Sequence, residues 1–192
     1  MVNFESLISI KYIMSFLGDV IQPFIIRNTT KKSFSRQVKL QNFDDIQNIC
    51  VVVEMGEETG SPDMLETIAS QYQADGKAVE IIVFYSSADL PAKLTASSFI
   101  VLKKNDLNFF GLLKRSPREF LSQKKYDLAV CYNPGNAAPV AQAFALLQAR
   151  FKAGTPGSKG FVPELVLHAK KQGMMHFIET INSYLKKLNQ SS

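Results

Sequence analysis

The chain has 192 residues, of which 46% are apolar, two are cysteine and none is tryptophan, and its formal net charge is +5. This length suits one domain with a full-sized hydrophobic core, so the fold needs no disulfide or metal to hold it together. Residues 101–192 hold fourteen basic and five acidic side chains, whereas residues 49–100 hold two and eight. This asymmetry suits either an anionic partner or an ordinary lysine-rich surface, and both interpretations stay open.

Residues 1–26 are strongly apolar, and their apolar positions recur at helical spacing. Lys11 and Asp19 interrupt the run, so no uncharged stretch reaches the roughly 18–20 residues that cross a bilayer, and the protein is not transmembrane. Because no basic segment and cleavage site precede the domain, we expect no signal peptide and a cytoplasmic protein. Three interpretations of this segment stay open. The helix docks on the domain or on a second copy of it, or it binds a protein partner or a membrane surface. Alternatively, the natural start is Met14 and the first thirteen residues do not belong to the protein.

Residues 27–47 are polar and predict a linker with five basic side chains. These are Arg27, Lys31, Lys32, Arg36 and Lys39. We therefore divide the chain into an N-terminal helix with its linker at residues 1–47, one domain at residues 48–188 and a tail at residues 189–192.

The domain begins with a strand–helix–strand unit. Asn48–Met55 is a continuous β-branched run, which is typical of a buried strand. Ser61 and Pro62 are a helix N-cap and first position, and that helix runs to about Ala74. Ala78–Tyr85 is a second apolar run. The short spacing predicts two parallel strands joined by a helix.

Further segments continue this alternation after residue 98. Ser116 with Glu119 predicts a capping box that opens a helix, which ends around residues 124–126. A helix at residues 139–148 follows the fourth strand, and a C-terminal helix spans Gly173–Leu188. Three further main strands are predicted at residues 98–103, 127–132 and 150–154, which makes five. Residues 161–168 predict an additional, weaker strand, and Pro163 suits an edge position.

This order predicts an α/β fold, a three-layer Rossmann-like domain with a mainly parallel five-stranded sheet, helices on both faces and an extra N-terminal helix. Cys50 and Cys131 fall inside strand-like runs, so we expect both thiols to be reduced and buried. The sequence lacks paired cysteine or histidine motifs, so we expect no metal and no cofactor.

The run Asp106-Leu107-Asn108-Phe109-Phe110-Gly111, the strand after Tyr126 and the segment at residues 149–154 resemble an uncharacterised Bacteroidota family. Its members are labelled only as a domain of unknown function. In that family Trp is usual at the position of Phe109, and Val at that of Ala153. A weaker similarity links the chain to one half of the two-domain nucleotide-sugar glycosyltransferases. That second resemblance implies a nucleotide-type ligand, whereas the first implies fold and compartment only.

The candidate ligand site is the turn that follows the fourth strand. Asn133, Gly135 and Asn136 stand where a strand leads into a helix, and free N–H groups at a helix start attract anions. The loop after the third strand adds Asp106, Asn108 and Phe110 as further candidates. A plain Asn-Pro-Gly turn is the alternative explanation of the same residues. No dinucleotide fingerprint, P-loop or nucleophile elbow is present in the sequence.

A cationic rim is predicted beside this turn. Its members are Lys114, Arg115, Arg118, Lys152 and Lys159. Such a rim suits a phosphate-bearing small molecule, whereas nucleic acid is disfavoured because no RNA-binding signature accompanies the lysines. We therefore expect a non-enzymatic binding or interaction module with an anion or phosphate site at the carboxyl edge of the strands. The alternative is an enzyme that acts on a phosphorylated or nucleotide-type small molecule.

Overall fold

A parallel β-sheet forms the centre of the molecule. The computed structural model describes residues 22–23, 26–27, 43–56, 60–87, 90–96, 99–156, 163–168 and 173–188. Within these ranges the strands are β1 (Asn48–Met55), β2 (Ala78–Tyr85), β3 (Ile100–Lys103), β4 (Lys125–Tyr132), β5 (Gln148–Gly154) and β6 (Leu165–Val166). Their order is β3-β2-β1-β4-β5-β6, and every neighbouring pair is parallel. The α/β prediction is confirmed, but the described sheet has six strands rather than five.

Burial on both faces explains why β1 reads as an unbroken apolar run. Val51 is buried in the core on one face of the sheet, and the next residue, Val52, is buried in the core on the other face. A central parallel strand has helices on both sides, so neither face needs polar residues. The weak last strand contributes only two residues, which follow Pro163, and it lies at the edge of the sheet as predicted.

Five helices cover the two faces of the described sheet. They are α1 (Pro62–Ala74), α2 (Ala92–Ala96), α3 (Arg115–Ser122), α4 (Ala138–Leu146) and α5 (Gly173–Leu188). Leu65 of α1 and Phe177 of α5 belong to the core on one face, whereas Leu121 of α3 and Phe144 of α4 belong to the core on the other. The predicted three-layer arrangement therefore describes this part of the chain.

The chain between β3 and β4 departs from its predicted boundaries. Helix α3 begins at Arg115 with Lys114 as its N-cap, so the predicted capping box of Ser116 and Glu119 is wrong. Glu119 instead accepts a hydrogen bond from Arg115 Nε at 2.6 Å, one helical turn earlier. Strand β4 begins at Lys125 rather than Asp127, because residues 125 and 126 pair with β5.

The predicted N-terminal helix and linker lie mostly outside the described residues. Gln22, Pro23, Ile26 and Arg27 have helical backbone. Ile26 is fully buried in a cluster with Leu112 and with alanines of α4. Those alanines are Ala138, Ala141 and Ala145. Across the ranges that the structure describes, no helix has the length and apolar character needed to cross a membrane.

Candidate functional site

The strand order reverses its direction between β1 and β4. The chain moves from β1 toward β3 in one direction and then restarts at β4 on the other side of β1. Connections on the two sides therefore leave opposite faces of the sheet, and in open α/β sheets ligands bind where this reversal occurs. The residues that end β1 and the turn that follows β4 form the candidate site.

The turn after β4 is held by the side chain of Asn133. Asn136 N donates to Asn133 O at 3.1 Å and closes a β-turn over Pro134 and Gly135. Asn133 Oδ1 accepts from Ala137 N at 2.8 Å, and its Nδ2 donates to Ala137 O at 3.1 Å. Because Asn133 is buried and uses both side-chain atoms within the turn, its role in this state is structural.

Glu54 of β1 brings a carboxylate directly under this turn. A Cβ added to Gly135 would lie 2.6 Å from Glu54 Oε2 and 3.1 Å from Oε1, so a larger residue there would force this carboxylate to move. Burial raises the pKa of this carboxyl group, and the nearby backbone N–H groups of Gly135 and Ala137, the second of which also donates to Asn133 Oδ1, only partly oppose that effect. The N-terminal end of α4 is thus already next to an anion that belongs to the protein itself.

Burial has the larger effect on Glu54 and raises the pKa of its carboxyl group above the ordinary value of 4.5. Oε2 is buried and makes no hydrogen bond with the described residues. A buried carboxylate oxygen without a donor is costly, so Glu54 holds its position at the expense of stability. No sequence pattern indicates that Glu54 lies beneath Gly135, because only the pairing of β1 with β4 brings these two segments together.

The other predicted ligand residues lie in the loop after β3. Asp106 Oδ2 accepts from Lys103 N at 2.8 Å, and Asn108 Oδ1 accepts from Phe110 N and Leu112 N. These polar side chains therefore hold their own loop. No described contact joins them to the turn after β4, so a shared ligand pocket stays a prediction.

The predicted cationic rim divides among three environments. Lys152 is 0% exposed, and its Nζ donates to the carbonyl oxygens of Phe144 and Ala145 at the end of α4, so its assignment to a rim is wrong. Lys159 lies outside the described residues. The remaining three are on or next to α3, where Lys114 Nζ donates to Asn105 O and Arg115 pairs with Glu119.

Arg118 is the third of these α3 residues. It is half-buried, and its Nε has no hydrogen-bond acceptor among the described residues.

A family model covers most of the chain. The family of unknown function DUF6913 matches residues 21–188. The chain belongs to this family. It has no match among curated proteins and none among solved structures. Membership confirms the expectation of an uncharacterised domain and brings no activity with it.

A second polar cluster in this DUF6913 domain lies at the opposite, amino-terminal edge of the sheet. Glu80 of β2 accepts hydrogen bonds from Lys124 Nζ at 2.8 Å and from the hydroxyl of Tyr126. These three residues line a cavity of about 270 Å³. The only sequence signal is a lone carboxylate in the apolar run of β2. Each partner is satisfied by the others, and the edge is the wrong one for ligands in this fold, so the cluster is structural.

Asp127 also serves the amino edge of the sheet rather than a ligand. Its Oδ2 accepts from the backbone N–H groups of Gln47 and Asn48, and its Oδ1 lies 3.4 Å from Arg150 Nη1. Asp127 thus links the amino end of β1 to β4 and pairs with Arg150 of β5.

Both cysteines of the chain are free and buried. Burial raises the pKa of the Cys50 thiol, and it raises that of Cys131 to about 12 although the nearby Lys152 acts in the opposite direction. Thiol reagents attack the thiolate, which is both scarce and shielded here. Native protein should therefore react with Ellman's reagent at least about a hundredfold more slowly than protein unfolded in guanidinium. Rapid labelling of one thiol in the native protein would contradict this burial.

Proposed function

We propose that this DUF6913 protein is a non-catalytic binding module that recognises an anionic group of a small ligand at the turn after β4. The observation that carries the proposal is the contact of Glu54 with Gly135. The turn already accommodates a carboxylate beside the backbone N–H of Gly135, and a phosphate or carboxylate of a ligand competes for the same place. Glu54 is then the resident anion that the ligand displaces.

Displacement is favoured by the poor environment of the Glu54 carboxylate. Its Oε2 lacks a hydrogen-bond donor, and burial opposes its ionised form. Because the carboxylate is half-buried at the end of β1, rotation of the side chain toward solvent restores its hydration. The cost of vacating the site is therefore smaller than for an anion with a complete set of donors.

Variants at Glu54 separate its charge from its bulk. Glu54→Ala removes both competing features and should tighten binding of inorganic phosphate by about tenfold relative to the wild type. Glu54→Gln removes only the charge and should give a smaller gain. Isothermal titration of the full chain with phosphate measures both values. Glu119→Ala on α3 is the matched control, because it also removes one carboxylate and should change the affinity little. Absence of phosphate binding in all variants would exclude an anion site.

The pH dependence of stability gives an independent test of the Glu54 environment. Since burial raises the pKa of folded Glu54, the folded state binds this proton more tightly than the unfolded state. The resulting contribution to stability is complete below pH 4.5 and is lost as the pH rises through the folded pKa. The melting temperature of Glu54→Gln should therefore rise relative to the wild type across this interval. Parallel curves for the two proteins would contradict the buried, charged position.

A second candidate is an enzyme that acts on a phosphorylated or nucleotide-type small molecule. The strand order favours it, because β3-β2-β1-β4-β5-β6 is the order of dinucleotide-binding domains. Against it, the sequence lacks the glycine fingerprint of those domains. Native mass spectrometry of the purified chain distinguishes the two candidates if a nucleotide or nucleotide sugar co-purifies. The similarity to glycosyltransferase halves, a Bacteroidota origin, a cytoplasmic location and self-association through residues 1–26 remain predictions.

A further inference from the structure

The loop between β3 and α3 displays two adjacent phenylalanines to solvent. Phe109 is 74% exposed and Phe110 is 43% exposed, and their rings meet edge to face with centroids 5.6 Å apart. Single exposed apolar side chains are ordinary on protein surfaces. Two contacting aromatic rings at the end of one loop form a continuous apolar surface, which we call the aromatic tip.

The backbone of this loop is hydrogen-bonded in a way that keeps the tip exposed. Asn108 N donates to Leu112 O at 2.7 Å, and Gly111 N donates to Asn108 O at 3.0 Å. The side chain of Asn108 adds acceptors for two further N–H groups, and Gly111 takes the left-handed conformation with φ of 69°. Exposure of the rings is therefore a property of a well-defined turn.

The base of the loop is anchored in the protein core. Leu112 is buried with Ile26 and the alanines of α4, and Leu113 is buried against the sheet. Leu113 N donates to Gln142 Oε1 at 2.7 Å, and Gln22 Nε2 donates to Phe110 O at 2.7 Å. The base of the aromatic tip is thus held by buried side chains and hydrogen bonds, so the two rings can insert into a bilayer without unfolding of the loop.

Basic side chains surround the base of the aromatic tip. The four members of this basic collar are exposed and flank the loop on both sides: Lys103, Lys104, Lys114 and Arg115. Asp106 is the one acidic residue between them, and its carboxylate accepts the backbone N–H of Lys103. Arg115 pairs with Glu119 at the surface, where such pairs open readily. The collar is therefore complementary to a negatively charged surface.

We propose that the aromatic tip inserts into the interface of an anionic lipid bilayer while the basic collar contacts the lipid headgroups. Two phenylalanines bury far less area than the roughly 800 Å² per partner of a stable protein interface. A bilayer requires only shallow insertion of an apolar element, about 5–10 Å, with lysine and arginine at headgroup level. The small apolar end and the basic residues that flank it fit this requirement, and no described contact joins the aromatic tip to the turn under which Glu54 lies.

Vesicle flotation of the full chain tests this proposal. The wild type should float with phosphatidylcholine vesicles that contain about one-third phosphatidylserine, and should not float with pure phosphatidylcholine. Phe109→Ser combined with Phe110→Ser should lower the partition coefficient at least about tenfold. Lys103→Ala combined with Lys104→Ala should lower it several-fold, with a smaller loss at about 0.5 M salt.

Matched controls use the same substitutions elsewhere on the surface. Tyr184→Ser removes an exposed aromatic ring from α5, which packs on the other face of the sheet. Lys125→Ala combined with Lys187→Ala removes two exposed charges outside the collar. Neither control should reduce vesicle binding more than about twofold. Unchanged melting temperatures of all variants show that the fold is intact.

Phe109→Trp reports insertion directly, because the chain contains no other tryptophan. Its emission should shift to the blue when anionic vesicles are added and stay unchanged with neutral vesicles. Lack of vesicle binding by the wild type, or binding that survives loss of both phenylalanines, would overturn the proposal. So would a Phe109→Ser and Phe110→Ser variant whose mass in light scattering falls, since the tip would then join copies of this chain.

Discussion

Replacing Lys152 with alanine should destabilise the protein by about 3–5 kcal/mol, which corresponds to a loss of roughly 10 °C or more in melting temperature. The Lys152 side chain is fully buried, and its ammonium group donates to Phe144 O at 2.7 Å and to Ala145 O at 3.2 Å. Helix α4 ends at Leu146, and β5 begins at Gln148. No glycine cap separates them, so Lys152 satisfies carbonyl groups that the helix end leaves open.

Two further variants show which feature of Lys152 matters. Lys152→Met retains most of the side-chain volume but has no hydrogen-bond donor. Its free energy of unfolding should fall by about 1–3 kcal/mol, which measures what the two hydrogen bonds of Lys152 contribute to stability. Lys125→Ala on β4 removes an exposed lysine and should change stability by less than about 0.5 kcal/mol. Urea unfolding measures all three. A Lys152→Met protein as stable as the wild type would show that packing alone explains the burial of this residue.

Replacing Asn133 with alanine should destabilise the protein by about 2 kcal/mol. The substitution removes the two hydrogen bonds to Ala137 and leaves the start of α4 without a side-chain partner, because Ala137 itself offers none. The loss should appear as a lower midpoint of urea unfolding with an unchanged slope.

Asn133→Asp is the matched variant for this prediction. It keeps the acceptor for Ala137 N but replaces the Nδ2 donor with a carboxylate oxygen that faces Ala137 O. At neutral pH it should destabilise at least as much as Asn133→Ala, and the defect should shrink as the pH falls and the carboxyl group takes up a proton. Wild-type stability for either variant would mean that Asn133 serves a ligand rather than the turn.

The sequence predicted most accurately those strands and helices whose apolar pattern reflects burial alone. β1 and β2 are central, so their apolar runs coincide with the observed Asn48–Met55 and Ala78–Tyr85. Helix α5 shows a single apolar face and spans the predicted residues. The boundaries around α3 and α4 failed because tertiary contacts decide them. Gln148 suits a helix by propensity, yet it pairs with Lys125 in the sheet.

Buried lysines explain the failed part of the cationic rim. A lysine in a sequence is assigned to the surface by default, since burying its charge is costly. Lys152 overcomes that cost with two carbonyl oxygens and the face of the Phe144 ring. Lys77 does the same with the carbonyl oxygens of Phe43 and Ile46. These acceptors come from segments up to 34 residues away in the sequence, so no local sequence pattern predicts which lysines are buried.

The alternation of apolar runs and turn residues by itself determined the fold class of this protein and the edge of the sheet at which the turn after β4 lies. Parallel strands must be covered on both faces, which explains the apolar runs. The carboxyl ends of parallel strands lie at one edge of the sheet, so the sequence alone predicts that Asn133, Gly135 and Asn136 lie at that edge. Tertiary structure alone decided what that edge contains. Glu54 and Gly135 are 81 positions apart in the sequence, and only the pairing of β1 with β4 brings the carboxylate beneath the turn. Whether a glycine faces solvent or a charged group depends on strand order, which side-chain periodicity does not encode.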